Sequence, residues 1–135
     1  MVIPGDLVGR RLDRVVCSWL HAREPSDAPE LLHMWLALDG LGTVRFHTLD
    51  HHLDLQPDEP HEPYDMDELG HVTVGDAPAD FPLAPFVGSR IRFVRPVQRL
   101  TLNALVGFEA GFPTGSVRIG SLTGCAGVRR SGAAA

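Results

Sequence analysis

The chain contains no lysine; arginine supplies all twelve of its basic charges. With its many Ala, Gly, Pro and Val residues, this points to the coding bias of a GC-rich bacterial genome and not to phosphate recognition. Cysteine is scarce as well. Cys17 and Cys125 are far apart, which excludes a disulfide-stapled scaffold and leaves buried or idle thiols in a reducing compartment. No apolar run approaches the ~20 residues that span a bilayer. The start, MVIPGDLVGRRLD, lacks the basic-then-apolar order of a secretory signal. The expected location is therefore cytoplasmic, with no membrane partner.

Catalytic signatures are missing too. There is no HExxH, no paired CxxC and no DxDxDG calcium loop. The nearest approach to a Gly-x-Ser-x-Gly elbow is GSLTG, Gly120 to Gly124, with serine one place early. Cys125 could serve as a nucleophile only beside a base such as His52, and its neighbours Gly124, Ala126 and Gly127 suit tight packing better. No glycine-rich loop leads into a helix, so phosphate cradling is not indicated. The net charge of −5, and the lack of a basic patch with interleaved aromatics, exclude nucleic acid as the expected partner.

The charge that is present is unevenly spread. Between Phe46 and Ser89 there is no arginine but there are ten acids: Asp50, Asp54, Asp58, Glu59, Glu62, Asp65, Asp67, Glu68, Asp76 and Asp80. Residues 90–135 carry seven arginines against Glu109 alone. This asymmetry predicts pairing between the acidic middle and the basic C-terminal part, and an acidic surface suited to a basic partner.

Internal repetition is the strongest signal of architecture. LVGRRLDRV, Leu7 to Val15, matches FVGSRIRFV, Phe86 to Val94, 79 residues later. VRFHTLDHHLDL, Val44 to Leu55, has an echo in VRIGSLTGCAGV, Val117 to Val128. Between them lie LALDG (Leu36 to Gly40) and VGFEAG (Val106 to Gly111). Repeat one is placed at 5–56 and repeat two at 84–128. An acidic, Pro-rich connector covers 57–83, and 129–135 is a frayed tail, all within a single domain 1–135.

Leu31 to Leu38, LLHMWLAL, has near-helical apolar spacing, but its assigned counterpart, Thr101 to Phe108, holds Gly107 and favours strand in both copies. Asp39-Gly40 and Gly42 predict a hairpin turn, and the longer AGFPTG, Ala110 to Gly115, a second. Val44 with Phe46, and Val117 with Ile119, fall on one face; Arg45 and Arg118 fall on the other. His71 to Val74 reads as an edge strand. Trp19 and Trp35 lie on apolar runs and read as core. The expected fold is all-β with little helix: two pseudo-repeated antiparallel meanders sharing one core, as a sandwich, roll or small barrel.

Two places carry candidate function. The first is the decoration of the Val44 stretch: His47, Asp50, His51, His52 and Asp54, imidazoles and carboxylates suited to a divalent transition metal. The echo replaces them with Gly120, Thr123, Gly124, Cys125 and Gly127. GFEAGFPTG, Gly107 to Gly115, is similar to the opening of the second metal motif of the cupins. The position of that motif's histidine falls on Arg118, and the first motif's His-x-His fails because Leu49 follows His47 by two, so no ligand is carried over. The second place is the acidic connector, with Asp58, Glu59, Glu62, Asp65, Asp67 and Glu68. The leading expectation is a non-catalytic interaction protein, immunity- or regulator-like, binding a basic protein through this face and able to self-associate through edge strands. The alternative is a metal-dependent enzyme or small-ligand binder of cupin-like type at 47–54.

Overall fold

The computed structural model describes residues 2–22, 29–49, 52–99, 104–120 and 128–131. It is an all-β chain. Strands β1 (Leu12–His21), β2 (Glu30–Leu38), β3 (Gly42–Leu49) and β4 (His52–Pro57) form an antiparallel meander. Strands β5 (Tyr64–Asp65) and β6 (His71–Asp76) complete its sheet in the order β4-β3-β2-β1-β6-β5. A second meander is made of β7 (Phe93–Arg99), β8 (Ala104–Phe112), β9 (Gly115–Gly120) and β10 (Val128–Ser131). Helical structure among the described residues is confined to 3-10 turns at Pro4–Leu7, Asp67–Leu69 and Ala84–Phe86, and no helix is long and apolar enough to cross a membrane.

The duplication is visible in the backbone. A 3-10 turn and four antiparallel strands occur twice in the same order. The two copies meet at residues 79 apart: Arg11 bridges Arg90. Around that bridge the amides of Gly9 and Leu12 donate to Ile91 O (2.7 Å) and Ser89 O (2.9 Å). The amides of Gly88 and Ile91 return the pattern to Leu12 O (2.6 Å) and Arg10 O (2.9 Å). Each bond has a counterpart with both numbers exchanged between copies, so a pseudo-twofold axis passes through the bridge. Gly9 (φ 83°) and Gly88 (φ 94°) both sit in the left-handed region, where a side chain costs about 1–2 kcal/mol.

One core lies between the meanders. It takes Leu12, Val15, Cys17, Met34, Leu36, Val44, Phe46 and Leu55 from the first, and Ile91, Phe108, Ala110, Phe112, Val117 and Ile119 from the second. Phe46 meets Phe108 at 6.0 Å, and Phe86 stacks on Phe112 at 4.5 Å. The end of the segment assigned to the acidic, Pro-rich connector contributes Phe81 and Leu83 to the core and leads into the Ala84–Phe86 turn.

The near-helical spacing of Leu31 and Met34 has a simple cause. Ser18 pairs with His33 and Trp19 with Leu31, so Leu32 is an extra residue in β2. Such a bulge lets residues three apart share a face. Asp13 does the same in β1, bringing Leu12 and Val15 both to the core.

Four local expectations need correction. Met34 pairs with Phe46 as Phe108 pairs with Ile119, so Leu36 corresponds to Ala110 and not to Val106. The second hairpin is the shorter one, because Phe112 pairs with Gly115 across Pro113-Thr114 alone. The strand at His71 is internal, with β1 on one side and β5 on the other. Arg129 to Ser131, expected in a frayed tail, pair with β9 as the end of β10.

The seam gives a direct prediction. Gly9→Ala and Gly88→Ala should each lower the free energy of unfolding by about 1–2 kcal/mol, to a similar extent, as measured by urea denaturation. Gly5→Ala, where an added Cβ meets nothing within 4 Å, should stay within about 0.5 kcal/mol of the parent.

Candidate interaction surface

The sheet order determines the path of the acidic connector. Strand β4 is one edge of the six-stranded sheet and β5 is the other, five inter-strand intervals away. In a flat sheet that is about 24 Å. The chain from Pro57 to Tyr64 reaches at most about 25 Å when fully extended. The connector is therefore a short strap that crosses the sheet in few residues. Pro57, Pro60 and Pro63 recur every third residue, the period of the polyproline II helix, and each fixes φ at about −65°.

Ring contacts show which face it crosses. Trp35 alternates with the core residues Met34 and Leu36 and so lies on the opposite side of β2, yet it is fully buried. His61 covers it, with ring centroids 5.1 Å apart and planes at 78°. His33 and Tyr64 extend the cluster, at 5.9 and 5.3 Å from His61. The indole N–H of Trp35 has no acceptor among the described residues, where the cover acts by shape and ring contact. Val16, Ser18 and Val72 are buried outside the main core as well.

Beyond the strap the chain turns sharply. The Met66 amide donates to Gly70 O at 2.8 Å, and the Asp67 amide to the Asp65 carboxylate at 2.8 Å. Asp67 has φ 54°, the only positive value at a non-glycine among the described residues. Gly70 has φ 116°, and a Cβ there would run into the carbonyl of His21. The turn is thus pressed against the far end of β1. It leaves Leu69 64% and Tyr64 44% exposed.

All six acids singled out from the sequence are exposed. Asp58 accepts from Arg45 at 3.1 Å, which anchors the start of the strap. Among the described residues, no basic side chain pairs with Glu59, Glu62, Asp65 or Glu68. The acidic middle was expected to pair with the C-terminal arginines. Among the described residues it forms ion pairs with Arg45 and Arg14, the latter holding Asp76 at 2.5 Å, both in repeat one; the side chains of Arg99, Arg129 and Arg130 lie outside the described ones. Arg90 and Arg95 meet Asp39 (3.8 Å) and Glu109 (3.6 Å).

The candidate metal ligands lie at the β3–β4 hairpin. His47 pairs in register with Asp54, and Leu49 with His52. The Asp54 carboxylate accepts from Gln56 Nε2 at 3.2 Å. Asp50 and His51 lie outside the described residues, as do the side chains of His47 and His52. Among the described residues no group of three or more His, Cys, Asp or Glu is arranged to hold a metal. Cys125, too, lies outside them.

Sequence reasoning missed the imidazole–aromatic cluster because its members come from β2 and from the strap. The period-three prolines, with a histidine between them, were the available signal. A second imidazole pair, His21 and His71, stacks across β1 and β6 at 4.9 Å, with His21 Nε2 2.9 Å from Thr73 Oγ1. Cys17 is buried in the core, and burial pushes its thiol up to about 12.

Two measurements follow. In a Trp19→Phe background, His61→Ala should shift Trp35 emission to the red, increase its quenching by iodide and cost about 1 kcal/mol of stability; unchanged emission would mean that the strap does not cover Trp35. Cys17 should resist a thiol reagent at pH 8 until the chain unfolds. Its folded pKa is the higher one, so its contribution to stability is complete below the unfolded thiol's pKa and is lost as pH rises from about 9 toward 12.

Comparison with protein-family models, curated proteins and solved structures finds no match to this chain.

Proposed function

We propose that the chain is a non-catalytic binding protein that engages a basic protein partner through the strap and the turn that follows it. One observation carries the reading: Tyr64 and Leu69 stand in solvent, among Glu62, Asp65, Asp67 and Glu68, on backbone braced by Gly70. Apolar anchors within a charged rim are the usual anatomy of a protein interface, and a tyrosine is a common anchor. A left-handed aspartate stores about 1 kcal/mol or more in the turn, a cost commonly found at binding sites. The setting suggested is cytoplasmic, where Cys17 stays a thiol. Self-association by strand pairing has less in its favour, since β5 has two residues and β7 carries Pro96.

The test is capture of partners from the native host with the purified chain. Replacing Glu62, Asp65 and Glu68 by arginine should abolish capture of basic proteins, and raised salt should weaken it. An unchanged set of captured proteins would refute the acidic face. Asp67 is kept because its backbone would strain most replacements.

The register of His47 opposite Asp54 favours one second reading, a divalent transition-metal site that includes Asp50, His51 and His52. It would make the chain a metal-dependent enzyme or small-ligand binder. Bound metal in the purified protein, reduced by His47→Ala and His51→Ala, would support it. No bound metal, and no change in melting temperature with zinc or manganese, would refute it.

A further inference from the structure

A groove of about 610 Å³ opens beside the seam between the two copies, lined by Val8, Gly9, Gly88, Arg90, Arg92 and Pro113 among others. Val8 is a large apolar residue left 45% exposed at its wall. Arg92 is exposed and has no acidic partner among the described residues. Arg90 donates to Gly9 O at 2.9 Å and approaches Asp39 at 3.8 Å. Apolar wall and cationic rim are the complement of the strap turn, where Leu69 and Tyr64 project among carboxylates.

The pseudo-twofold axis makes a related groove around Val87, but its lining differs. There Asp13 stands at the position equivalent to Arg92, and Asp76 is paired with Arg14. Of the two grooves, only the one at Val8 is basic, so the chain offers one receptor and one acidic projection. They lie at opposite ends of β1. The groove adjoins Leu12, whereas Gly70 presses on His21, nine residues along the strand and about 30 Å away. A molecule cannot reach its own groove with its own turn.

We infer that the strap turn of one copy docks in the Val8–Arg92 groove of a second copy, head to tail. This rests on reading the turn as an interaction face; the chain as a whole carries a net charge of −5, and the basic element it offers a second copy is local, Arg90 and Arg92 at the groove. Receptor and projection are different surfaces, so the contact is heterologous and continues into open chains or rings. Leucine in the groove would be ringed by the Arg90 and Arg92 guanidiniums facing Asp65 and Glu68, an arrangement sensitive to salt.

The test is light scattering after size exclusion over a wide concentration range. At low salt the mass should rise with concentration past that of a dimer, and high salt should reverse it. Arg92→Glu spoils only the groove, and Leu69→Asp spoils only the projection. Both residues are exposed, so both variants should keep the parent's melting temperature, and each should self-associate about tenfold or more weakly. Mixed together, they should form a one-to-one heterodimer and nothing larger, because each retains the face the other lacks. A wild-type chain that stays monomeric at every concentration would overturn the inference, as would variants that assemble like the parent or fail to combine. If the wild type is monomeric while Glu62, Asp65 and Glu68 still govern capture of a host protein, self-docking fails and the acidic face stands. If those three replacements affect neither capture nor assembly, both fail.

Discussion

The fold depends on the antiparallel seam at Arg11 and Arg90. Neither meander has enough apolar residues to close a core of its own. The seam brings the inner faces together and fixes their register. Its four backbone hydrogen bonds come in two symmetric pairs, flanked by the left-handed glycines Gly9 and Gly88. Asp39 sits between the two arginines, 3.9 Å from Arg11 and 3.8 Å from Arg90. With Asp13, which accepts from Arg11 at 2.6 Å, it offsets a pair of like charges that the duplication itself sets side by side. The core, including the Phe86–Phe112 stack at 4.5 Å, lies between the meanders that this seam joins.

The second constraint concerns distance. A meander that continues onto the far edge of its own sheet must send the chain across the sheet face. Here few residues do it. Composition alone makes the connector look like a solvated linker, acidic and rich in proline. Topology makes it a cover over Trp35 and turns its acids outward. The packing of His61 on Trp35 gives a flexible-looking sequence a surface of defined shape, which the proposed binding face would need to keep its entropic cost low.

Much of the fold was legible because duplication shows twice. The 79-residue spacing of Gly-x-Arg reappears as the bridge between Arg11 and Arg90, and the frame Val44, Phe46, Val117, Ile119 is buried as alternation requires. What was not legible depended on single inserted residues. The bulge at Leu32 mimics helical spacing, and a shorter second hairpin shifts the match between copies from Val106 to Ala110. The site was legible only in part. The acids could be named, but Tyr64, Leu69 and Gly70, on which the proposed reading also rests, carry no local pattern. The His47 to Asp54 decoration stands out equally well in the sequence, and pairing register adds only that His47 faces Asp54.

The central claim is that two repeats form one cooperative unit held at the seam. Native-state hydrogen exchange read by NMR tests it most directly. The amides of Gly9, Leu12, Gly88 and Ile91 should exchange only through global unfolding, with the same free energy as the core amides of β2 and β8. Seam amides that exchange well before both sets of core amides would contradict it, because the halves would then open independently.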